Sequence, residues 1–277
     1  MLTINNWTSA LYRQRYLVDD ALATMINLAI TLGRPLLVEG PAGSGKTQLA
    51  YALAKAMQRE LIRLSCYEGL DASQALYDWN YQGQLTAIAQ HADINPFSPE
   101  FLLERPLLKA LRSSGAVLLV DEIDRADEGF EALLLEYLAD HQITIPEWNT
   151  VRAKTPPITI LTSNRTRALS DALRRRCLYA YLDWPQMDRE IEIAALYADA
   201  VPHSVLKRIV SGIHCLRSWQ LIKPPGLAET IDWALSQQVM GHPGWTREWV
   251  LTTLGCVVKD NLDMNSVASR IDELVAG

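Results

Sequence analysis

Features typical of several other protein classes are missing from this chain of 277 residues. Its apolar runs, such as Ala116–Val120, are far shorter than the ~20 residues that cross a bilayer. Met1–Ala10 lacks the basic stretch and apolar core of a secretory signal. The four cysteines contain no C-x-x-C pair, and the five histidines fit no zinc pattern. The sequence therefore predicts a cytoplasmic protein with reduced thiols, no membrane contact and no Cys/His metal site.

Excess positive charge is missing as well. Lys and Arg number 26 against 32 Asp and Glu, which gives a net charge of −6. This balance argues against a uniformly basic nucleic-acid binder and leaves room only for a local basic stripe. With 49% hydrophobic and 21% charged residues, the chain is also unlike a disordered one. Its length predicts about two domains.

Short apolar runs alternate with helical patterns through the first two thirds of the chain, which is typical of an α/β domain with a parallel sheet. After Trp184-Pro185 only helical patterns remain. We therefore expect an α/β domain over residues 1–185 and a small all-helical domain over 186–277. The predicted strands are Pro35–Glu39, Leu61–Ser65, Ala116–Val120, Ile158–Ser163 and Leu178–Asp183. Among the predicted helices are Asp19–Leu32, Lys46–Met57, Pro99–Leu111, Glu128–Leu138, Ser204–Leu216 and Thr246–Asp260.

The most specific motif follows the first predicted strand. It reads Gly40-Pro41-Ala42-Gly43-Ser44-Gly45-Lys46-Thr47 and satisfies G-x-x-x-x-G-K-[ST]. The glycines would let backbone N–H groups surround a phosphate at the start of a helix. Lys46 would reach the β- and γ-phosphates of ATP, and Thr47 would be a ligand of Mg²⁺.

Two acids, Asp121 and Glu122, follow the third predicted strand. In a parallel sheet they would lie at the carboxyl edge, where ligands bind. Asp121 would hold Mg²⁺ and Glu122 would polarise the attacking water; an exposed acidic turn is the simpler alternative. Asn164 follows the next strand, where it would orient that water, contact the γ-phosphate or serve only as a turn residue.

Three arginines, Arg174 to Arg176, stand at the end of a short helical stretch before the last predicted strand. They would interact favourably with the helix dipole in any case. Because arginine matches phosphate geometry, one of them could also complete the nucleotide site of a neighbouring subunit.

The order of these motifs resembles that of the AAA+ ATPases over nearly the whole chain. Asp121-Glu122-Ile123-Asp124-Arg125-Ala126 is similar to the D-E-I-N-R-A of the MoxR family, with Asp124 in place of its Asn. Further segments resemble the MoxR ATPases of carbon monoxide dehydrogenase maturation systems: Cys66–Asp71, Ala75–Tyr81, Ile145–Glu147 and Pro225–Thr230.

This resemblance implies an AAA+ αβα sandwich with a five-stranded parallel sheet and a helical lid. It also implies a hexameric remodelling ATPase that works with a von Willebrand factor A-domain partner on a client such as a metalloenzyme. By match to the family pattern, Arg176 is the arginine finger, with Arg175 as the alternative. The lid stretch Pro225-Gly226-Leu227 lacks the family's sensor arginine.

Two further segments contain large apolar or aromatic residues that could either contact a partner or pack inside the protein. Tyr77, Trp79 and Tyr81 alternate before the third strand, and residues 141–157 resemble a hairpin with Ile143, Ile145 and Trp148. In related proteins such segments face the pore or a partner. Packing within the core or between subunits would explain the same residues equally well.

Two other functions stay open at this point. Restriction-type AAA+ nucleic-acid motors share the Ala-Leu-Arg-Arg-Arg pattern, but the acidic charge favours a chaperone. A small P-loop kinase or a GTPase fits less well, because the Asn-Lys-x-Asp guanine motif is absent from the sequence.

Overall fold

The structure is a computed structural model that describes residues 4–90, 94–146, 148–241 and 244–276. A five-stranded parallel sheet with the order β2-β5-β8-β1-β9 organises its first part. This confirms the predicted α/β fold and all five predicted strands, with ends that shift by one or two residues. The strands are β1 (Leu36–Glu39), β2 (Leu61–Ser65), β5 (Val117–Asp121), β8 (Ile158–Ser163) and β9 (Leu178–Tyr181).

The central strands are largely apolar because helices cover both faces of the sheet. β1 and β5 are buried at every position, and Leu37, Leu118 and Val120 join one core with the flanking helices. The helices of this part are α1 (Ile4–Tyr12), α2 (Asp20–Leu32), α3 (Lys46–Met57), α4 (Ala72–Ala75), α5 (Tyr81–Gln90), α6 (Pro106–Arg112), α7 (Glu128–Asp140) and α8 (Asp171–Arg176).

Two small antiparallel pairs lie outside the main sheet. β3 (Tyr77–Trp79) pairs with β4 (Leu102–Glu104), and β6 (Gln142–Ile145) pairs with β7 (Asn149–Arg152). The predicted helix Pro99–Leu111 is wrong in its first half, because its first six residues form a 3₁₀ turn and β4. Ile143 and Ile145 are buried in the core, so packing explains these two residues. Glu147, at the tip of the hairpin, is outside the described residues.

The chain divides into two compact units, and the second is helical. It comprises Leu182–Gly277 together with Arg15–Leu17 and the loop Gly40–Gly45, whereas the first contains Val18–Glu39 and Lys46–Tyr181. Its helices are α9 (Met187–Tyr197), α10 (His203–Ser218), α11 (Leu227–Met240), α12 (Arg247–Thr253), α13 (Asn261–Ser269) and α14 (Ile271–Ala276). The helix predicted to reach Asp260 thus ends at Thr253.

A second hydrophobic core holds these helices together. Trp233 and Trp249 stack with ring centroids 5.4 Å apart, and Trp245 packs edge-on against Trp233. Burial of such large rings stabilises a small helical unit strongly. None of the helices in the described residues is both long and apolar enough to cross a membrane.

Candidate nucleotide site

The loop Gly40–Gly45 connects β1 to α3 in a conformation that requires glycine. Gly43 and Gly45 have φ angles of +72° and +91°, where a side chain would be strained. Ser44 contributes a buried hydroxyl with no hydrogen-bond partner among the described residues. A buried donor left without a partner is costly, so this loop suits a bound group that supplies acceptors.

Three hydrogen bonds to loop carbonyls hold this shape within the second unit. Leu227 N–H donates to Gly43 O at 2.8 Å, Trp184 Nε1–H to Ala42 O at 3.1 Å, and the Tyr16 hydroxyl to Gly45 O at 3.3 Å. Gly226 lies directly against the loop, and a Cβ atom there would be 2.7 Å from the Gly43 Cα. No side chain fits at position 226 in this arrangement.

The first residues of α3 face the end of β5. Thr47 Oγ1 donates to Asp121 Oδ1 at 2.9 Å, and Thr162 Oγ1 donates to the same oxygen at 2.6 Å. Arg63, on the adjacent strand β2, donates to Oδ2 from Nε at 3.0 Å and from Nη2 at 2.6 Å. The carboxylate of Asp121 is buried, and its hydrogen bonds with Thr47, Thr162 and Arg63 fix its orientation.

Glu122 is held in an unusual backbone conformation at the same edge. Its φ of +57° is rare for a residue with a side chain and costs of order 1 kcal/mol. Its N–H donates to Thr162 Oγ1 at 2.9 Å. Its carboxylate accepts from Arg125 Nη1 at 2.9 Å and from Asn164 Nδ2 at 3.3 Å. The structure thus brings Glu122 and Asn164 together, as the sequence predicts.

Asp124 links this turn to the loop after β8. It accepts hydrogen bonds from the Asn164 and Thr166 backbone N–H groups and from the Thr166 hydroxyl, at 2.7 to 3.2 Å. Burial alone would raise the pKa of Asp124, but these hydrogen bonds outweigh burial and leave the pKa below its ordinary value. The acid that replaces the MoxR asparagine therefore positions Asn164.

Lys46 is buried beside three carboxylates. Burial lowers its pKa from the ordinary lysine value, and the negative charges of Asp124, Asp121 and Glu122 offset only part of this effect. A phosphate bound near Lys46 would add the negative charge that favours its protonated form.

Replacing Asp124 with asparagine should destabilise the protein by ~1–3 kcal/mol. The new NH₂ group would face backbone N–H donors, so at least one hydrogen bond is lost together with the charge. Urea unfolding at neutral pH measures this difference.

Because the pKa of folded Asp124 is lowered, the difference should shrink as the pH falls below about 4, the ordinary range of an aspartate. Asp140→Asn removes the same charge at an exposed position and should change stability by less than ~0.5 kcal/mol. Equal stabilities of Asp124→Asn and the wild type at neutral pH would contradict the positioning role.

The three arginines of α8 have different surroundings, although all three side chains are exposed. Arg174 pairs with the buried Glu39 at 2.7 Å, and Arg176 Nη1 donates to the Leu135 carbonyl at 2.6 Å. The Arg175 side chain makes neither a hydrogen bond nor an ion pair with the described residues.

Sequence reasoning missed Arg34, which holds the end of α8. Its guanidinium donates to the carbonyls of Arg175, Arg176 and Cys177, at 2.7, 3.2 and 3.4 Å. It also missed Arg63, although a charged residue inside the apolar run Leu61–Ser65 is a detectable signal. The partners of both lie far away in sequence, so neither contact could be assigned from the chain alone.

The side-chain oxygens of Thr47 and Asp121 suit Mg²⁺, which prefers oxygen ligands. A threonine hydroxyl and a fixed carboxylate already meet there, 2.9 Å apart. Across the residues that the structure describes, no group of three or more His, Cys, Asp or Glu is placed to hold a metal ion. The glycine loop, this oxygen pair and the parallel sheet together define a P-loop nucleotide-binding protein.

Comparison with known proteins specifies the family. The family described as "AAA domain (dynein-related subfamily)" matches residues 35–177, more than half of the chain. The protein belongs to this family and is an AAA+ ATPase of the MoxR-like kind, as its motifs predict.

Individual relatives are distant. The gas vesicle ATPase GvpN1 of Halobacterium salinarum is 26% identical over 68% of this chain and 58% of its own length. Protein NorQ of Paracoccus denitrificans is 24% identical over 65% of this chain and 64% of its own length. The alignments thus cover less than two thirds of either relative.

A solved structure supports the fold alone. A RuvB variant of Thermotoga maritima aligns with a TM-score of 0.54 and 20% identity, covering 95% of this chain and 74% of that one. At this identity the likeness confirms the AAA+ fold and says nothing about function.

Proposed function

We propose that this protein hydrolyses ATP at the loop Gly40–Gly45 and the adjoining carboxyl edge of the sheet. The observation that carries the proposal is the pairing of Thr47 with Asp121 where the loop enters α3. Lys46 binds the phosphates, Thr47 and Asp121 hold Mg²⁺, and Glu122 polarises water that Asn164 helps to orient. When bound, Mg²⁺ would act as a Lewis acid that neutralises negative charge on the phosphates.

The active form in this proposal is a homo-oligomeric ring. The family resemblance implies that the ring has six subunits. An arginine of α8 then reaches the nucleotide of the neighbouring subunit. Arg176 is the first candidate and Arg175 the second, and the exposure of both supports this role. In the ring, the Arg176 guanidinium would lose its hydrogen bond to the Leu135 carbonyl and bind a phosphate of the neighbouring subunit's nucleotide instead.

The work done with ATP is the remodelling or maturation of a client protein in the cytoplasm. The similarity to GvpN1 and NorQ supports a MoxR-type chaperone. A von Willebrand factor A-domain partner and a metalloenzyme client follow from the motif resemblance. A restriction-type nucleic-acid motor is less well supported, because the chain has a net charge of −6.

A paired assay tests this function. The purified chain is assayed for Mg²⁺-dependent ATPase activity alone, with DNA, and with the protein that it captures from native lysate. We expect stimulation by the captured protein and no effect of DNA. Stimulation by DNA alone would instead favour the motor.

The surface that would receive the partner is the apolar face of α5. Tyr81, Leu85 and Ile88 recur at helical spacing and are 61%, 64% and 47% exposed. Trp79, by contrast, is buried against Phe97 with ring centroids 5.3 Å apart. Of the alternating aromatic residues, Trp79 is therefore a core residue and Tyr81 a surface one.

Replacing Tyr81 and Leu85 together with alanine should abolish partner stimulation and leave basal ATPase activity intact. Stability should change by less than ~1 kcal/mol because both side chains are exposed. Trp79→Ala should instead destabilise the fold by ~3–5 kcal/mol. Chemical unfolding and stimulated ATPase rates separate the two effects. Full stimulation of the double variant would remove α5 from the partner surface.

A further inference from the structure

Helix α8 carries the arginine assigned above to the neighbouring subunit's site, but it has only six residues. A helix this short is not stable by itself in water, so its position depends on contacts with the rest of the fold. Catalytic groups have to be held close to one geometry, and a displacement of about 1 Å can cost ~10²-fold in rate. The contacts that fix α8 therefore determine how well Arg176 reaches a phosphate.

A buried carboxylate at the end of β1 contacts this helix. Glu39 is 2% exposed, and its two oxygens accept from different donors. Arg174 Nη2 donates to Oε1 at 2.7 Å, and the Tyr179 hydroxyl donates to Oε2 at 3.1 Å. Arg165 lies further away, with its Nε atom 3.9 Å from Oε2. A buried carboxylate without such partners would be costly, so the pairing of Glu39 with Arg174 holds α8 against β1.

The same strand is also joined to α8 near its other end. Arg34, two residues before β1, donates to the carbonyls of Arg175 and Arg176 at 2.7 and 3.2 Å. These bonds go to main-chain atoms, whereas Glu39 binds a side chain of the helix. Glu39 is also followed directly by Gly40, the first residue of the glycine loop. One strand therefore leads into the subunit's own loop and positions the helix that carries the finger.

We propose that Glu39, acting through Arg174, is a positioning residue for the arginine finger that this chain supplies to a neighbouring subunit. Residues two positions apart on a helix point in different directions. Arg174 can therefore stay paired with Glu39 while Arg176 leaves the Leu135 carbonyl and reaches the neighbour's nucleotide. The inference rests on the proposed function, because it requires Arg176 to act in trans.

Glu39→Gln tests this role, because glutamine keeps the size of the side chain and removes its charge. The pocket residues Lys46 and Thr47 are unchanged, so ATP should bind as it does to the wild type. Single-turnover hydrolysis should slow ~10–100-fold, because the finger is no longer held in one position. Glu248→Gln removes the same charge at an exposed position in the second unit and should leave the rate unchanged.

Mixed rings distinguish a displaced finger from a damaged pocket. In a mixture with Lys46→Ala, a Glu39→Gln subunit supplies the pocket and receives an intact finger, so hydrolysis should rise several-fold above that of Glu39→Gln alone. In a mixture with Arg176→Ala, the Glu39→Gln subunit has to supply the finger, so the rate should not rise. A general loss of stability would lower the rates of both mixtures alike.

Arg174→Gln gives an independent test, because it leaves the residue before the glycine loop unaltered. It should show the same difference between the two mixtures. Combined with Glu39→Gln, it should slow hydrolysis no further than the slower single variant does, because the two side chains act as one pair.

The proposal is overturned if Glu39→Gln hydrolyses ATP at the wild-type rate, or if its mixtures with Lys46→Ala and Arg176→Ala behave alike. A different result would contradict the proposed function itself. If Lys46→Ala mixed with Arg176→Ala recovers no activity, the finger does not act in trans, and Glu39 has no such finger to position.

Discussion

Replacing Arg176 with alanine should leave ATP binding unchanged and lower the rate constant of hydrolysis ~10³-fold or more. The binding residues Lys46, Thr47 and Asp121 remain in place in this variant. What it lacks is a cation beside the charge that develops on the transferred phosphoryl group. Single-turnover hydrolysis and nucleotide titration measure the two properties separately.

Mixing two inactive variants tests whether Arg176 acts on a neighbouring subunit. Lys46→Ala lacks the phosphate-binding residue and Arg176→Ala the finger, yet a mixed ring contains sites with both. Partial recovery of ATPase activity is the expected result. Arg247→Ala, which removes an exposed arginine of α12, should behave as the wild type throughout. Wild-type hydrolysis by Arg176→Ala would move the assignment to Arg175, and full activity of a demonstrated monomer would contradict action in trans.

Replacing Glu122 with glutamine should slow hydrolysis ~10²–10⁴-fold while ATP and Mg²⁺ still bind. The amide keeps the size of the side chain but cannot polarise water as a carboxylate does. It also loses the ion pair with Arg125. That pair is exposed, and such pairs contribute only ~0.2–1 kcal/mol, so the fold should be retained.

Rapid-quench measurement of bound ATP and ADP shows whether the Glu122→Gln variant stops at the chemical step. We expect ATP to accumulate on the protein. Glu128→Gln, an exposed acid at the start of α7, removes the same charge and should leave the rate unchanged. If both variants hydrolyse at the wild-type rate, Glu122 has no catalytic role.

Local sequence signals predicted the sheet and much of the candidate site. Each central strand is a short, largely apolar run, and the glycine loop has a fixed spacing, so both can be recognised within ten residues. The parallel order then places Asp121 and Asn164 at one edge. These inferences needed no knowledge of long-range contacts.

The parts that sequence could not predict depend on short elements or distant partners. β3 and β4 have three residues each, too few for a periodic pattern, so the segment after Pro99 was expected to be helical. Arg34 meets its partner carbonyls more than 140 positions away. Asp124 similarly meets Thr166, which lies 42 positions further along the chain. Such contacts are set by how the whole chain packs.

Because Gly226 lies directly against Gly43, the loop Gly40–Gly45 and the start of α11 are close enough to be joined by a hydrogen bond. Their direct link is the Leu227 N–H bond to the Gly43 carbonyl, which consists of main-chain atoms alone. Almost every amino acid at position 227 would preserve it, because all except proline carry this N–H group. Proline is also well tolerated as the first residue of a helix, where Leu227 stands in α11. The link is thus robust to nearly all single substitutions at position 227, and proline could remove it without breaking the helix.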